Sequence, residues 1–290
     1  MTLFPQLGGP PQAAGGSPVP GCLRLVDRRT ETLVEVPASG RGRLLRVGVH
    51  LSGDCPPVGP TDLRAMLVGD VLLRAAESGG AQVLHVLLVP PRAPREAQAL
   101  ERLVTAFGVH APSDISGVDD ANAMLGGPAD IQLFAAGDGR QSAPEGVWAV
   151  VGPVLNGWSQ GTGAALREDD SGTVTWGGVE PAAARLALLT HAHSEPFTLT
   201  SDRLADAERS LRNWRYKVAD WARSPSAPVP EQVRLSARAA FTDDLDTPGA
   251  LALLRRVEED SGIPAGAKFE AFAAMDRVLG LELIRDIGTL

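Results

Sequence analysis

Apolar residues in the first half of the chain follow a strand–helix–strand pattern. Residues 44–52 (LLRVGVHLS) form an apolar, β-branched run that is typical of a central strand. Residues 61–78 carry apolar side chains at helical spacing, with Thr61 or Asp62 as the expected N-cap. Residues 81–90 are continuously apolar and end in Pro-Pro, as in a strand buried on both faces. Together these segments predict a βαβ unit in a parallel sheet.

Further elements surround this unit. The alternating stretch 22–36 predicts a hairpin, because a polar turn separates its two apolar halves. Residues 93–108 have the pattern of a helix, and residues 129–134 and 146–154 have the pattern of strands. Residues 156–178 are mostly loop.

From residue 179 the pattern is helical. Pro, Gly and Asp or Thr separate five helical segments, which cover residues 180–192, 201–222, 231–241, 247–260 and 267–281. The predicted organisation is a Pro/Gly-rich disordered tail (1–20), a Rossmann-like α/β domain (21–178) and an all-α domain (179–290).

Composition narrows the class of protein. The chain has 290 residues and a net charge of −8. It has two cysteines, so a framework of disulfides is not expected. We find no run of 18 apolar residues, so no membrane span is expected, and the first residues do not have the pattern of a signal peptide. A cytoplasmic location is the expectation.

Lysine is restricted to Lys217 and Lys268. No residue before 217 therefore supplies a lysine to a phosphate or a transition state, and arginine is not an equivalent replacement. The acidic net charge also argues against binding nucleic acid through phosphates, so tRNA is not an expected partner.

Histidines and one cysteine are the candidate metal ligands. His50 and Cys55 lie near the carboxyl end of the central strand, where open α/β sheets bind ligands. Zinc needs three or four ligands, and two are visible here, so polar residues lining a loop are the favoured interpretation over a metal site. His191 and His193 follow a helix at a spacing that does not place both on one helical face, and a structural role is expected.

Two further clusters have a chemical and a structural interpretation. Asp243, Asp244 and Asp246 would suit a metal or acid–base chemistry, but they precede Thr247-Pro248 and are expected to cap a helix. A basic-aromatic stretch would suit RNA, but acids nearly cancel its charge, and a solvated helix with its aromatic residues in the core is expected. Its basic and aromatic members are Arg209, Arg212, Arg215, Lys217, Trp214, Tyr216 and Trp221.

The helical half resembles a known family. Residues 178–189 (GVEPAAARLALL), the long Arg/Trp helix and the segment DDLDTP at 243–248 occur in the order found in cysteinyl-tRNA synthetases. They are still more similar to the ligase of mycothiol biosynthesis that joins cysteine to glucosaminyl-inositol. The stretch CLRLVD at 22–27 and the strand VGVHLSG at 47–53 resemble the same family. The resemblance implies a class I synthetase-type Rossmann-like sheet followed by helices, and formation of cysteinyl adenylate from ATP.

The positions of the family's signatures hold other residues. The place of the His-x-Gly-His signature holds Gly59-Pro60-Thr61-Asp62, and the place of the Lys-Met-Ser-Lys-Ser loop is in 156–166, where there is no lysine. The first zinc-binding cysteine of the family falls at His50, and we find no counterpart of the other zinc ligands. Loss of these groups removes the charges that stabilise ATP phosphates during adenylation.

Two hypotheses follow. The first is a pseudoenzyme that binds a small molecule, such as a nucleotide or an amino acid, or a protein partner such as an active cysteine ligase. The second is a divergent ATP-dependent ligase, in which Arg64, Arg140 or Arg167 replaces lysine or Cys55 carries an acyl group. In both, ATP or AMP is a candidate ligand. The candidate pocket consists of His50, Ser52, Asp54, Cys55, Thr61, Asp62, Arg64, Asn156 and Ser159, with no catalytic residue assigned.

Overall fold

A computed structural model describes residues 22–36, 43–52, 58–116, 121–136, 145–157, 166–170 and 172–288. The predicted disordered tail lies outside these residues. The strands are β1 (Arg24–Asp27), β2 (Thr32–Glu35), β3 (Leu44–His50), β4 (Gln82–Leu88), β5 (Asp114–Ser116), β6 (Ile131–Ala135), β7 (Val147–Val151), β8 (Val154–Asn156), β9 (Leu166–Glu168), β10 (Val174–Trp176) and β11 (Phe197–Leu199). The helices are α1 (Pro60–Ser78), α2 (Pro94–Ala106), α3 (Ala121–Met124), α4 (Pro181–Leu188), α5 (Ser201–Trp221), α6 (Glu231–Thr242), α7 (Thr247–Glu259) and α8 (Ala265–Leu279).

The main sheet is five-stranded and parallel, in the order β5-β4-β3-β6-β7. Helix α1 connects β3 to β4, and α2 connects β4 to β5, which confirms the predicted βαβ unit and the α/β fold class. The chain extends the sheet from β3 toward β5 and then returns to the other side of β3 for β6 and β7. In doubly wound sheets such a reversal marks the place where ligands bind, outside the carboxyl ends of the strands on its two sides. Here these strands are β3 and β6, and we call this place the β3–β6 crevice.

Helix α1 is buried on nearly all sides, including its charged residues Asp62, Arg64 and Asp70. One face packs on the sheet, and a Cβ added at Gly69 would lie 3.0 Å from a methyl group of Val49. The predicted N-cap at Thr61 or Asp62 is wrong, because the cap is Gly59 and Pro60 occupies the first helical position. Proline is favoured there, since its fixed φ suits a helix and its missing N–H would have no helical partner.

The predicted hairpin at 22–36 is confirmed as β1 and β2, which pair antiparallel. The predicted strand at 146–154 is interrupted at Gly152-Pro153, so that β7 belongs to the main sheet and β8 pairs in parallel with β11. Gly152 lies against the backbone of Glu195, and a Cβ there would be 2.5 Å from that carbonyl oxygen. The expected loop at 156–178 contains the antiparallel pair β9–β10.

The five predicted helical segments are confirmed as α4 to α8. Their apolar residues and most of those of the sheet belong to one continuous core cluster, in which Trp214 and Phe272 meet edge to face at 6.0 Å. Val86 and Leu88 of β4 belong to a second, smaller cluster with Ala121, Leu125 and Ala129. The division into two domains near residue 178 remains a prediction. Within the described part of the chain, each helix is too short or too polar to cross a lipid bilayer.

A buried ionic network joins α1 to the helical half. Asp70 on α1 accepts hydrogen bonds from Arg185 at 2.5 Å, Arg74 at 2.8 Å and the His110 ring at 2.7 Å. Burial alone would raise the pKa of Asp70, but these donors outweigh it and hold the pKa well below its usual value. Arg185 is fully buried and also donates to the carbonyl oxygen of Leu279 at 2.6 Å. The network thus fixes α4 and the end of α8 to α1.

Candidate functional site

The crevice at the carboxyl end of β3 brings together several of the predicted site residues. His50 ends β3, Ser52 follows it, and Thr61, Asp62 and Arg64 lie in the first two turns of α1. Asn156 ends β8, where its backbone pairs with Leu199. Asp54, Cys55, Ser159 and Arg140 lie outside the described residues, and Arg167 is exposed on β9.

Asp62 places a carboxylate at the amino-terminal end of α1. Its side chain is buried, with 1% exposure, and its Oδ1 accepts hydrogen bonds from the Ser52 amide at 2.7 Å and the Ser52 hydroxyl at 2.9 Å. Backbone N–H groups in the first turn of a helix favour negative charge, which is why phosphates also bind there. The chain therefore supplies its own anion at the position where this fold would receive a phosphate.

Thr61 connects the start of α1 to β8, the strand that follows β7 along the chain. Its hydroxyl oxygen accepts a hydrogen bond from the Val154 amide at 3.0 Å. This bond fixes the start of α1 to the first residue of β8, so Thr61 contributes to the position of the crevice wall.

Arg64 lies one turn further along α1 and has no solvent exposure. Its guanidinium donates to four backbone carbonyl oxygens, at 2.6 Å to Glu195, 2.7 Å to Ala192 and 3.1 Å to both Gly152 and His191. The same group lies 4.7 Å from the centre of the Phe197 ring. Burial lowers the pKa of Arg64 to about 10. The geometry makes Arg64 a connection between α1 and the segment before β11.

His50 is buried at the end of β3 and contacts the neighbouring strand. Its Nε2 lies 2.7 Å from Oε1 of Gln132, and its ring stacks on Phe134 with the ring centres 4.1 Å apart. Gly48 makes room for this arrangement, since a Cβ there would lie 2.6 Å from the same Gln132 oxygen. The His50 and Phe134 rings thus form a buried stacked pair at the switch point of the sheet.

The described residues around His50 do not fit a zinc ion. Within the described ranges, no group of three or more His, Cys, Asp or Glu side chains is arranged to hold a metal. The neighbours of His50 are an amide oxygen and an aromatic ring, whereas protein zinc sites use sulfur, imidazole and carboxylate ligands.

Both lysines of the chain take part in contacts between helices. Lys217 pairs with Glu258 at 2.5 Å, and Lys268 donates to the Glu258 carbonyl oxygen at 2.7 Å. Lys268 also lies 5.6 Å from the centre of the Trp221 ring. Neither ammonium group lies among the residues of the crevice, since both bond to Glu258 on α7 in the helical half.

The aspartate cluster has the predicted capping role and a tertiary role in addition. Asp246 is the N-cap of α7, and its carboxylate accepts the Gly249 amide at 2.8 Å. Asp244 accepts the Val26 amide at 2.9 Å and lies 3.3 Å from the His193 ring. These contacts join the hairpin to the start of α7.

The basic-aromatic helix, α5, agrees with the prediction only in part. Trp214 is buried, but Tyr216 is 63% exposed, so the expectation of a fully buried aromatic set is wrong for that residue. Arg215 is buried instead and pairs with Glu180 at 2.6 Å. Helical periodicity explains the difference, because Tyr216 lies on the outer face of α5.

Gln132 and the carbonyls around Glu195 were not predicted as parts of the site. Gln132 stands out in the sequence as a polar residue within an apolar strand, which is a usable indication of a buried hydrogen bond. The carbonyls give no such indication, since every residue carries one.

Comparison with known proteins places these features in context. No family model matches the chain. A protein of Streptosporangium roseum named L-cysteine:1D-myo-inositol 2-amino-2-deoxy-alpha-D-glucopyranoside ligase is 40% identical over 108 residues, which are 36% of this chain and 26% of that protein. Proteins with the same name from Streptomyces scabiei (37% over 124 residues; 41% of this chain, 27% of that protein) and Frankia casuarinae (43% over 75 residues; 26% and 15%) also match.

The matched region spans about a quarter of the length of the first two of these relatives. The name of these relatives agrees with the family indicated by the sequence motifs, and the parallel sheet followed by helices is the architecture which that resemblance implies. Over about a third of its length, this chain is similar to mycothiol cysteine ligases, which are cysteinyl-tRNA synthetase-like proteins.

Proposed function

We propose that this chain is a cysteine ligase-like protein that has lost ATP-dependent cysteine adenylation and acts by binding. The ligand is a nucleotide or an amino acid at the β3–β6 crevice, or the partner is an active cysteine ligase. A cytoplasmic location belongs to the same proposal.

The Asp62 carboxylate is the observation that carries this proposal. It lies buried at the amino-terminal end of α1, held by two hydrogen bonds from Ser52. An ATP phosphate at the same helix end would meet this negative charge at close range, and in a partly buried site such repulsion is weakly screened. Activation of an amino acid needs the opposite, namely positive groups that stabilise developing phosphate charge.

Arg64 supports the same conclusion, because its donors are directed to the protein's own carbonyls. A guanidinium that is to stabilise a phosphate would have to give up these bonds. The two lysines are likewise paired in the helical half. ATP or AMP is therefore proposed as a ligand of the β3–β6 crevice, without a phosphate position on α1.

ATP–pyrophosphate exchange with each of the twenty amino acids tests the loss of adenylation. We expect no exchange above the level without enzyme, and robust exchange with any one amino acid would refute the proposal in favour of a divergent ligase. A thermal-shift measurement with ATP, AMP and cysteinyl-sulfamoyl adenosine tests binding separately.

The role of Asp62 is tested by Asp62→Asn, with Asp202→Asn as the matched control. Asp202 is an exposed acid in the first turn of α5, so its loss changes the net charge equally. We expect Asp62→Asn to tighten AMP binding and Asp202→Asn to leave it unchanged. Equal effects would show that net charge, and not the position of the carboxylate, controls the affinity.

A protein partner is tested by sedimentation of the chain with a purified active cysteine ligase. A complex of defined stoichiometry supports the partner form of the proposal. Its absence, together with a thermal shift by AMP, supports the small-molecule form.

A further inference from the structure

A cavity of about 450 Å³ lies at the carboxyl-terminal end of α1, away from the crevice. Its walls come from the last turn of α1, one face of α6 and one face of α8. Its apolar lining includes Ala75, Val233, Ala237, Phe241, Met275 and Val278. This volume lies within the range of small-molecule sites, which are concave and mostly apolar with a few polar groups.

Helix α6 leaves its apolar stripe partly open to this cavity. Val233, Ala237 and Phe241 recur at a spacing of four residues and so share one face. Within α6, which is described in full, Phe241 is the one buried residue, while Val233 and Ala237 remain half-buried at the edge of the core. The stripe therefore lines apolar space that the protein's own side chains do not fill.

The charge at the cavity is uniformly positive, in a chain whose net charge is −8. Among the described residues that line it, Arg234, Arg238 and Arg277 are the charged ones. Arg234 pairs with Glu231 at 2.6 Å. Arg238 and Arg277 are exposed and form no ion pair with any residue in the described ranges.

We propose that this cavity binds a small amphiphile that has one anionic group, such as a fatty acid. The hydrocarbon tail fills the space between α6 and α8, which removes apolar surface from water. The carboxylate lies at the opening between Arg238 and Arg277, whose guanidinium geometry suits a carboxylate.

The site is separate from the crevice at β3. Helix α1 has 19 residues, so its two ends are about 28 Å apart. Asp62 lies at one end, and Ala75 and Ser78 reach the cavity at the other. Binding here is therefore independent of the function proposed for the crevice.

Titration calorimetry with decanoate, decanol and decylammonium tests the proposal at neutral pH. We expect saturable binding of one decanoate per chain, with decylammonium about ten-fold weaker, because two arginine contacts change from favourable to unfavourable. Absence of saturable decanoate binding, or equal affinity for the two charged probes, would overturn it.

Three glutamine variants locate the anionic group. We expect Arg238→Gln and Arg277→Gln each to weaken decanoate binding about two- to five-fold and to leave decanol binding unchanged. Arg255→Gln is the matched control, since Arg255 is an exposed arginine on α7 that does not line the cavity. A decanoate affinity that is the same in all three variants would overturn the assigned position.

Ala237→Phe tests the tail position by filling the cavity, and we expect it to abolish binding of both decanoate and decanol. Circular dichroism shows whether this variant is folded, and the glutamine variants at exposed positions provide the test if it is not. Sedimentation velocity addresses a second copy of the chain as the occupant. Self-association that Ala237→Phe abolishes, with no decanoate binding in the parent, would overturn the proposal.

Discussion

Replacement of Arg64 by methionine tests whether this residue is structural or available for a ligand. Methionine has a similar length and fills most of the same space, but it offers no hydrogen-bond donor. The variant therefore removes the bonds to the carbonyls of Glu195, Ala192, Gly152 and His191 with little change in packing.

The expected cost follows from those bonds. The two short bonds, at 2.6 and 2.7 Å, join a charged donor to carbonyls, and such bonds contribute about 1.5–3 kcal/mol each. The two at 3.1 Å add less. Relief of the desolvation that lowers the pKa of Arg64 offsets part of this sum. We expect Arg64→Met to reduce the free energy of unfolding by about 3 kcal/mol.

Urea unfolding, followed by tryptophan fluorescence and far-UV circular dichroism, measures this change. Arg64→Lys is a useful second variant, because lysine keeps the positive charge but lacks the several N–H donors of a guanidinium. We expect a loss in the free energy of unfolding between zero and that of Arg64→Met. Arg203→Gln is the control, since Arg203 is exposed and lies 6.0 Å from the same Phe197 ring. We expect it to change stability by less than about 1 kcal/mol.

A loss below about 1 kcal/mol in Arg64→Met would refute the structural assignment. An arginine that is held in place for a ligand is costly to bury, so its removal would be neutral or stabilising. In that case Arg64 would return as a candidate for the role of the missing lysine in a divergent ligase.

Three further predictions concern two buried polar groups and one helix cap. Burial lowers the pKa of His85 to about 4 from the usual 6.5, so its contribution to stability is complete above pH 6.5 and falls by about 3 kcal/mol as the pH drops to about 4. Urea titrations across this range should show a steeper loss of stability in the parent chain than in His85→Gln, where other groups such as His191 still titrate; equal slopes would contradict this. Asp70→Asn leaves Arg185 buried without its anion and should reduce the free energy of unfolding by about 3–5 kcal/mol in the same assay. The double variant Asp70→Asn/Arg185→Met should regain much of this loss, and a double variant no more stable than the single one would contradict the prediction. Asp246→Ala removes the hydrogen bond from the Gly249 amide at the start of α7 and should lower the free energy of unfolding by about 1 kcal/mol. Asp246→Asn should retain most of this stability, and equal losses in the two variants would exclude a capping role.

Local pattern was sufficient to predict most of the fold. The βαβ unit, the hairpin and the five helices of the second half were all confirmed. The faces that each of these segments buries give its apolar residues a pattern that can be recognised in the sequence. The short elements β5, α3 and β11 were missed, because three or four residues are too few to show a period. The break at Gly152 was also missed, since it depends on how closely Glu195 approaches.

The candidate site was predictable in place but not in its contacts. His50, Thr61 and Asp62 could be assigned to the carboxyl end of β3 from topology alone, because parallel strands end at one edge. The contact of His50 with Gln132 could not be predicted, because the two residues are distant in sequence. The hydrogen bonds from Ser52 to Asp62 could not be predicted either, because a loop separates the two residues.

The sequence by itself determined the βαβ unit, the hairpin and the five later helices, the absence of lysine before residue 217 and the resemblance to cysteine ligases. Only the tertiary structure decided what the charged residues do. It directs Arg64 to backbone carbonyls and places Asp62 at the amino-terminal end of α1. It also leaves an apolar cavity beneath α6 lined by Arg238 and Arg277, which form no ion pair within the described ranges. The physical reason is that the energy of a buried charge depends on its neighbours in space, and periodicity along the chain does not identify them.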